Sequence, residues 1–474
     1  MKMKRLLICG LPVLIVVMTA CEGTVRAPNS PASESIKVFT GATVIDVIGG
    51  TPSTNGMVVI EGTRIKQVGA TAEIPTDAEI IDASGKFIIP GLADMHHHLA
   101  EGKFGFDERE PTYQESLRRL LAWGITLTYS TGIPDLEAFG DLKLISSDPA
   151  APYPHFYAVG KQFGAESWNE KLESNRRRNG HGSIGGFAPD TPEEGRAGVR
   201  ENAAANVDGI KFVYSPVTYA IQGGLPQLKP EVMEAIIDEA HLQGLRAMVH
   251  APILKYAKDA LRAGADGLVH GILDEPIDDE FIDLMKQNDA FYMTTHAVFA
   301  AAGDIEGWAR RLEEFDQSGM ASKEEIRRGM DPMLVSEWET RWNNFSYMKN
   351  KMATLSANTK KAYESGLLVV AGSDTGDNGA GLISGLAQQV ELQLLVESGL
   401  TPLQALQTAT INAARMIGRE NDLGSLESGK LADFVVLNAD PLEDIQNIND
   451  IYLVVKGGVV HEPSQIIAAE VPVP

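Results

Sequence analysis

Short apolar runs that alternate with polar residues occur near both ends of the chain and predict β-strands. Between residues 36 and 87, stretches such as "IKVFTGATVID" and "GMVVIEGTRIKQVG" are separated by Gly, Asn and Asp, which favour turns. Comparable stretches, "GSLESGKLADFVVLN" and "DIYLVVKGGVVHEP", occupy residues 424 to 463. We therefore expect a small β-sandwich domain assembled from both terminal regions, with one part over 36–88 and a second part with the tail over 419–474.

The middle of the chain has a different pattern, in which apolar runs alternate with amphipathic stretches. One example is "KPEVMEAIIDEAHLQG", with apolar residues at helical spacing and a closing glycine, followed by the strand-like run "LRAMVHA". Eight strand–helix units of this kind can be counted. They predict an α/β fold with a (β/α)8 TIM barrel over 89–418. An open doubly wound sheet is the alternative, but no glycine-rich phosphate motif follows any of the runs.

The first residues resemble an export signal. In "MKMKRLLICGLPVLIVVMTACEG" a basic start precedes a short apolar core and small residues before Cys21, which predicts a signal peptide over 1–20. The segment 21–35 is expected to be a flexible tether. Because "MTAC" resembles a bacterial lipobox, we expect a lipid on Cys21 and an exported bacterial lipoprotein that faces the periplasm or cell surface. Simple cleavage that leaves Cys21 free is the alternative.

Charge narrows the range of partners. The chain has a formal net charge of −23 at pH 7, and a nucleic-acid partner is not expected, because binding to phosphates requires a basic surface. The expected partner is a small-molecule substrate, and the expected membrane contact is through the lipid anchor only.

Candidate chemistry begins at "IIPGLADMHHHLA", where three consecutive histidines follow an apolar run. On an extended strand His96 and His98 point to the same side, whereas His97 points to the other. In a barrel of this type the reactive groups lie at the carboxyl ends of the strands. We therefore interpret His96 and His98 as metal ligands and His97 as a bystander.

Four more polar residues lie in or end later strand-like runs: Lys211, His250, His270 and Asp374. Each has a structural alternative, since a lysine can snorkel, a lone histidine can be a core residue and Asp374 can cap a helix. Taken together with His96 and His98, they form a set of nitrogen and oxygen ligands that suits Zn²⁺, or Mn²⁺ or Co²⁺.

These motifs resemble the amidohydrolase superfamily, and in particular its imidazolonepropionase-like and prolidase-like metallo-hydrolases. The resemblance is carried by "IIPGLADMHHH", "DGIKF", "VHA", "LVHG", "GSDTG" and the long block from "ELQLLVESGLTPLQAL" to "ADFVVLNADPLEDI". It extends over nearly all of residues 36 to 463 and implies a barrel beside a β-sandwich.

The resemblance also implies roles for individual residues. His96, His98 and Asp374 would hold one metal ion, and His250 and His270 would hold a second. Lys211 would carry a carbamate, formed with CO2, that bridges two divalent ions, for which Zn²⁺ is the expected metal. His181 resembles a loop histidine that stabilises the oxyanion, although it can also be a solvated loop residue. A homo-oligomer is implied by analogy with relatives.

The expected function is hydrolysis of a peptide-like amide C–N bond by a metal-bridging hydroxide, with Asp374 as base and then acid. Dipeptides or N-acyl amino acids are the expected substrates. Cyclic amides, lactones, carbamates or phosphoesters are the alternative, and a non-catalytic binding lipoprotein is a third, remote one. Tyr214, Tyr219 and His296 are further candidates for contacts with the substrate, although both tyrosines can equally be packing residues.

Overall fold

The computed structural model describes most of the chain between residues 35 and 468. The described ranges are 35–70, 74–99, 113–132, 135–165, 186–216, 226–316, 319–321, 326, 345–376 and 382–468. The predicted sites Cys21, His181 and Tyr219 lie outside them, as does the predicted signal peptide. Within these ranges no helix has both the length and the apolar character that a membrane crossing requires.

One sheet combines strands from both terminal regions. Its eight strands are β1 (Ile36–Val44), β2 (Ser53–Glu61), β3 (Arg64–Gly69), β4 (Glu79–Asp82), β5 (Phe87–Pro90), β14 (Phe434–Leu437), β15 (Ile451–Lys456) and β16 (Val459–His461). The strand order is β16-β15-β14-β5-β1-β2-β3, and β4 pairs with β1.

Strand β5 joins the two terminal regions. It runs parallel to β1 and antiparallel to β14, with Val435 opposite Ile89. The rings of Phe39 and Phe434, both fully buried, meet edge to face with centroids 5.0 Å apart. The apolar face of this sheet is therefore built from residues almost 400 positions apart in the chain, and neither terminal region can bury it alone.

Eight further strands are parallel and lie in the middle of the chain. They are β6 (Leu92–His97), β7 (Ile125–Ser130), β8 (His155–Ala158), β9 (Ile210–Val213), β10 (Ala247–His250), β11 (Gly267–Leu268), β12 (Phe291–Met293) and β13 (Leu368–Val370). Their pairing gives a three-stranded sheet, β6-β7-β8, and a five-stranded sheet, β13-β12-β11-β10-β9. The single continuous barrel that we expected from the sequence is thus not reproduced by strand pairing, which yields two parallel sheets.

Helices follow most of these strands. They are α1 (Tyr113–Ala122), α2 (Leu136–Ser146), α3 (Pro192–Ala204), α4 (Pro230–Leu242), α5 (Leu254–Arg262), α6 (Asp279–Gln287), α7 (His296–Gly303), α8 (Ile305–Phe315), α9 (Phe345–Glu364), α10 (Leu386–Glu397), α11 (Pro402–Thr408), α12 (Ile411–Met416) and α13 (Pro463–Ala468), with a 3₁₀ turn at Ile445–Asn449. Local signals begin several of them: Thr191 and Glu194 form a capping box ahead of Pro192 at the start of α3.

Backbone hydrogen bonds connect the two parallel sheets on both sides. On one side the amide of Asp374 donates to the carbonyl of His96 at 2.7 Å. On the other side the amide of Phe163 donates to the carbonyl of Lys211 at 3.0 Å, and the amide of Val213 donates to Phe163 at 2.9 Å. Residues at the carboxyl ends of β6, β9 and β13 are therefore brought towards one another, which sets the position of the candidate site.

The junction between the terminal regions gives a test of this architecture. We expect Phe434→Ala to lower the free energy of unfolding by about 3–5 kcal/mol, because it empties a buried site that both regions share. Chemical denaturation would measure the change. Ile80→Ala in the same sheet is the matched control, since Ile80 is 57% exposed and should change stability by less than about 0.5 kcal/mol. A cost for Phe434→Ala as small as that of the control would contradict the shared core.

Candidate metal centre

Three of the predicted ligands form a compact buried group. His96, His270 and Asp374 each offer a ligand atom, and these atoms all lie within 4.8 Å of one another. Their side chains are at most 3% exposed. The three residues come from the ends of β6, β11 and β13, which are far apart in sequence, so the group is a product of the parallel strand arrangement.

Asp374 occupies an unusual backbone conformation at this point. Its φ is 55°, in the left-handed region that few non-glycine residues adopt. Its carboxylate oxygen Oδ1 lies 3.3 Å from Nε2 of His96 and 3.2 Å from Nε2 of His98. Gly372 allows this approach, since a Cβ atom there would lie 2.5 Å from the Cβ of His96. The strained turn therefore directs the carboxylate at both histidines of the HxH motif.

The protonation state of His96 follows from its partners. Its Nδ1 lies 2.8 Å from the carbonyl oxygen of Val269, which can only accept, so Nδ1 carries the proton. Desolvation, followed by the charge of Lys211, holds the pKa of His96 well below its ordinary value. The ring is therefore neutral, and its Nε2 lone pair faces the carboxylate of Asp374.

This contact places two hydrogen-bond acceptors face to face in a buried site. We interpret it as a cradle for a cation, because neither group can donate to the other and their approach is otherwise unfavourable. Nitrogen and carboxylate ligands of this kind fit Zn²⁺ or a similar divalent ion. The hydrogen bond from Nδ1 of His96 to a backbone carbonyl is also the usual outer support of a metal-ligating histidine.

Lys211 lies beside the same nitrogen. Its Nζ is 3.3 Å from Nε2 of His96, and the side chain is buried within the strand β9. Burial lowers the pKa of Lys211 to about 8, and the charge of Asp374 opposes the shift in part. The amine thus lies beside the candidate ligands, at the position where the family resemblance implies a bridging carbamate.

The remaining two histidines extend the group on opposite sides. The ring of His98 lies 5.3 Å from that of His96, and its Nε2 is also 3.3 Å from Oγ1 of Thr131. The ring of His250 lies 4.4 Å from that of His270, which in turn lies 4.8 Å from His96. Burial is the main reason that the pKa of His270 lies well below its ordinary value. All six predicted ligands therefore lie in one connected cluster of side chains.

Asp94 supports the candidate site through hydrogen bonds, although no motif in the sequence singled it out. Asp94 is fully buried and accepts hydrogen bonds from the amide of His96 and from both the amide and hydroxyl of Ser373. It therefore connects the backbone of one candidate ligand, His96, with Ser373, the residue before another, Asp374. Burial raises the pKa of Asp94 to about 7, although the hydrogen bonds from Ser373 oppose the shift. The available signal was a charged residue inside the apolar run "GLADMHHH".

The other candidates in the described ranges take different positions. His97 faces away from the group, as strand alternation predicts, and its Nε2 lies 3.0 Å from Oγ of Ser384. Tyr214 is only 7% exposed and its ring packs at right angles against Tyr256. His296 lies beyond β12, which stops at Met293, and is the first residue of α7, fully buried beside Glu391. Substrate contacts by Tyr214 and His296 stay predictions.

Several known proteins are similar to this chain over most of its length. The ochratoxinase of Aspergillus niger is 26% identical over 428 residues, which cover 84% of this chain and 80% of that protein. The imidazolonepropionase of Geobacillus kaustophilus is 24% identical over 436 residues, covering 86% of this chain and 88% of the relative. The crystal structure of a Xaa-Pro dipeptidase with methionine bound in its active site superposes with a TM-score of 0.69 at 24% identity, covering 90% of this chain and 100% of that one.

The family model for the amidohydrolase family matches residues 87–460. That range contains the parallel strands and every residue of the candidate metal centre. The protein is therefore a hydrolase acting on carbon–nitrogen bonds, and it belongs to the amidohydrolase family.

Proposed function

We propose that this amidohydrolase cleaves the amide bond of small peptide-like substrates, namely dipeptides or N-acyl amino acids, at a centre of two divalent ions. The observation that supports it most directly is the buried group of His96, His270 and Asp374, with Lys211 beside it. The similarity to a Xaa-Pro dipeptidase structure supports a peptide-like substrate.

In this proposal His96, His98 and Asp374 would hold one ion, His250 and His270 would hold the other, and a carbamate on Lys211 would supply anionic oxygen ligands. Zn²⁺ is the proposed metal, because imidazole and carboxylate ligands suit it. When bound, the ions supply an acidified water at neutral pH and polarise the carbonyl of the substrate. The Lys211 ammonium would first lose a proton, and the neutral amine would then add to CO2 with release of a second proton, which converts a cation into an anionic ligand.

Asp374 performs the proton transfers. As water adds to the carbonyl carbon, the carboxylate accepts its proton, and it then delivers that proton to the amide nitrogen as the C–N bond breaks. A carboxylic acid and an amine are the products. The left-handed backbone of Asp374 and the hydrogen bond from its amide to His96 keep the carboxylate in one place during both transfers. His181 is proposed as a donor to the oxyanion, and Tyr219 as a contact for the substrate.

We also propose that the two parallel sheets are arcs of one closed (β/α)8 barrel. The backbone hydrogen bonds at both junctions support closure, as do isolated parallel bridges between His97 and Thr375 and between Phe163 and Phe212. A crystal structure with a gap at either junction would contradict closure.

We further propose that the protein is exported and anchored by a lipid on Cys21, on the basis of the motif "MTAC". Metabolic labelling with radioactive palmitate should mark the wild-type protein and leave Cys21→Ala unlabelled, with the variant shifted from the membrane to the soluble fraction. Equal labelling of both proteins, or none, would contradict the proposal.

A substrate panel tests the proposed reaction. We expect turnover of dipeptides or N-acyl amino acids that exceeds turnover of lactones, carbamates and aryl phosphates, measured by product release. Asp374→Asn should lower kcat about 10²- to 10⁴-fold, because the amide cannot accept or pass on the proton. Preference for lactones or phosphates would replace the amide proposal. Failure of all classes with metal-loaded protein would contradict the proposed substrates.

The bridging role of Lys211 can be tested through metal content. Lys211→Ala should lose about one of the two ions, as counted by plasma spectrometry, and most of its kcat. Short carboxylates such as acetate should restore part of both, since they can occupy the space of the carbamate. Lys456→Ala is the matched control, because Lys456 is also fully buried but donates to the carbonyls of Ser146 and Asp148. Full metal content in Lys211→Ala would rule out the bridge.

A further inference from the structure

A buried carboxylate lies behind the candidate metal centre and contacts the turn that follows β12. Glu391, on α10, is fully buried. It accepts hydrogen bonds from the hydroxyl of Thr294 at 2.5 Å and from the amides of Thr295 and Ala297 at 3.1 and 2.6 Å. Nδ1 of His296 lies 3.3 Å from the same carboxylate. One side chain thus holds four consecutive residues at the start of α7.

Gathering several hydrogen-bond donors around one carboxylate costs conformational freedom of the backbone that carries them. We therefore expect the conformation of this turn to have a role. Hydrogen bonds to an ionised acceptor are shorter and stronger than neutral ones, and they compensate for the burial of the charge of Glu391. The turn that they hold is therefore strongly constrained.

The constrained turn contains a strained residue. Thr295 has φ 79° and ψ 40°, a left-handed conformation that is a genuine outlier for a β-branched residue. Strain of this kind persists only when the surroundings impose it, and it concentrates at functional sites. The amide of Thr295 is one of the groups that Glu391 holds, which identifies the source of the constraint.

The strained residue directly contacts a candidate metal ligand. Oγ1 of Thr295 lies 2.9 Å from Nδ1 of His270, and both residues are buried. Nδ1 of His270 also lies 4.0 Å from Oδ2 of Asp374, so the contact with Thr295 bears on which ring nitrogen carries the proton and which keeps a lone pair for a metal ion. The ring also packs edge to face against Phe299 of α7, with centroids 5.7 Å apart, so the same turn sets both contacts of the imidazole.

We propose that Glu391 and Thr295 are positioning residues for His270. Glu391 holds Thr295 in the left-handed conformation, and the Thr295 hydroxyl fixes the tautomer and rotation of the His270 ring beside Asp374. This inference rests on the proposed metal centre, and it adds a specific support for the ion that His250 and His270 would hold.

Two quantities are measured for the wild type and each variant. One is the Zn²⁺ affinity, by competition with a chromophoric chelator, and the other is the thermal stability of the metal-free protein. Thr295→Val keeps the shape and removes the hydroxyl, so the Zn²⁺ site of His250 and His270 should lose about 10- to 100-fold in affinity. Thr295→Ser keeps the hydroxyl and should stay close to the wild type. Thr295→Gly relieves the backbone but lacks the hydroxyl, so it should lose affinity as Thr295→Val does.

Two control variants separate positioning from general damage. Thr408→Val makes the same change at a fully buried threonine whose hydroxyl donates to the Ala405 carbonyl, and it should leave Zn²⁺ affinity unchanged. Glu391→Gln should weaken Zn²⁺ binding, whereas Glu239→Gln, at a buried carboxylate held by Arg200, should not. If Glu391→Gln does not fold, the threonine series decides.

The outcomes are distinguishable. Wild-type affinity in folded Thr295→Val, or recovery of affinity in Thr295→Gly, would overturn the positioning role, since the hydroxyl would then be dispensable. A wild-type protein that binds no Zn²⁺ would instead overturn the proposed metal centre. Loss of affinity in Thr295→Val and Thr295→Gly with retention in Thr295→Ser supports the inference, because a purely structural role would not follow the hydroxyl.

Discussion

The centre of this molecule is a contact between two hydrogen-bond acceptors, the Nε2 lone pair of His96 and the carboxylate of Asp374, which lie 3.3 Å apart in a buried site. Water would screen such a contact at the surface, but here desolvation keeps the imidazole neutral and the pKa of His96 low. The arrangement is favourable only with positive charge close by. In the protein alone that charge is the Lys211 ammonium, 3.3 Å from the same nitrogen; a divalent ion would satisfy both acceptors at once.

Two hydrogen-bond acceptors stay in contact only if the backbone around them is held rigidly. The backbone is constrained in this way at two points. Five non-glycine residues in the described ranges have positive φ. Three are Asn or Asp residues outside the candidate centre, which tolerate this conformation. The other two are Asp374 and Thr295, one a candidate ligand and the other in contact with a ligand. Strain is thus concentrated where the geometry of the site must be maintained.

Supporting residues act in the same way on both sides of the cluster. Asp94 binds the backbone of His96 and the residue before Asp374, whereas Glu391 binds the turn next to His270. Both carboxylates are buried and accept several hydrogen bonds. Both therefore fix the backbone at or next to a candidate ligand, as the outer residues of a metal site do.

The sequence by itself determined which residue types and strand ends make up the candidate metal centre. Alternation along an extended chain separated His96 and His98 from His97, and apolar runs that end in His or Asp indicated the other ligands, because these patterns are local. It also indicated that both terminal regions contribute strands to a small sheet.

The pairing of β5 with β14, and the division of the parallel strands into two sheets, depend on contacts between distant segments that no local pattern encodes. The same holds for His296, which begins α7 and lies beside the buried Glu391 of another helix. Only the tertiary structure decided the positions of Asp94, Thr295 and Glu391, since a side chain that supports a site through a neighbour has no spacing of its own to reveal it.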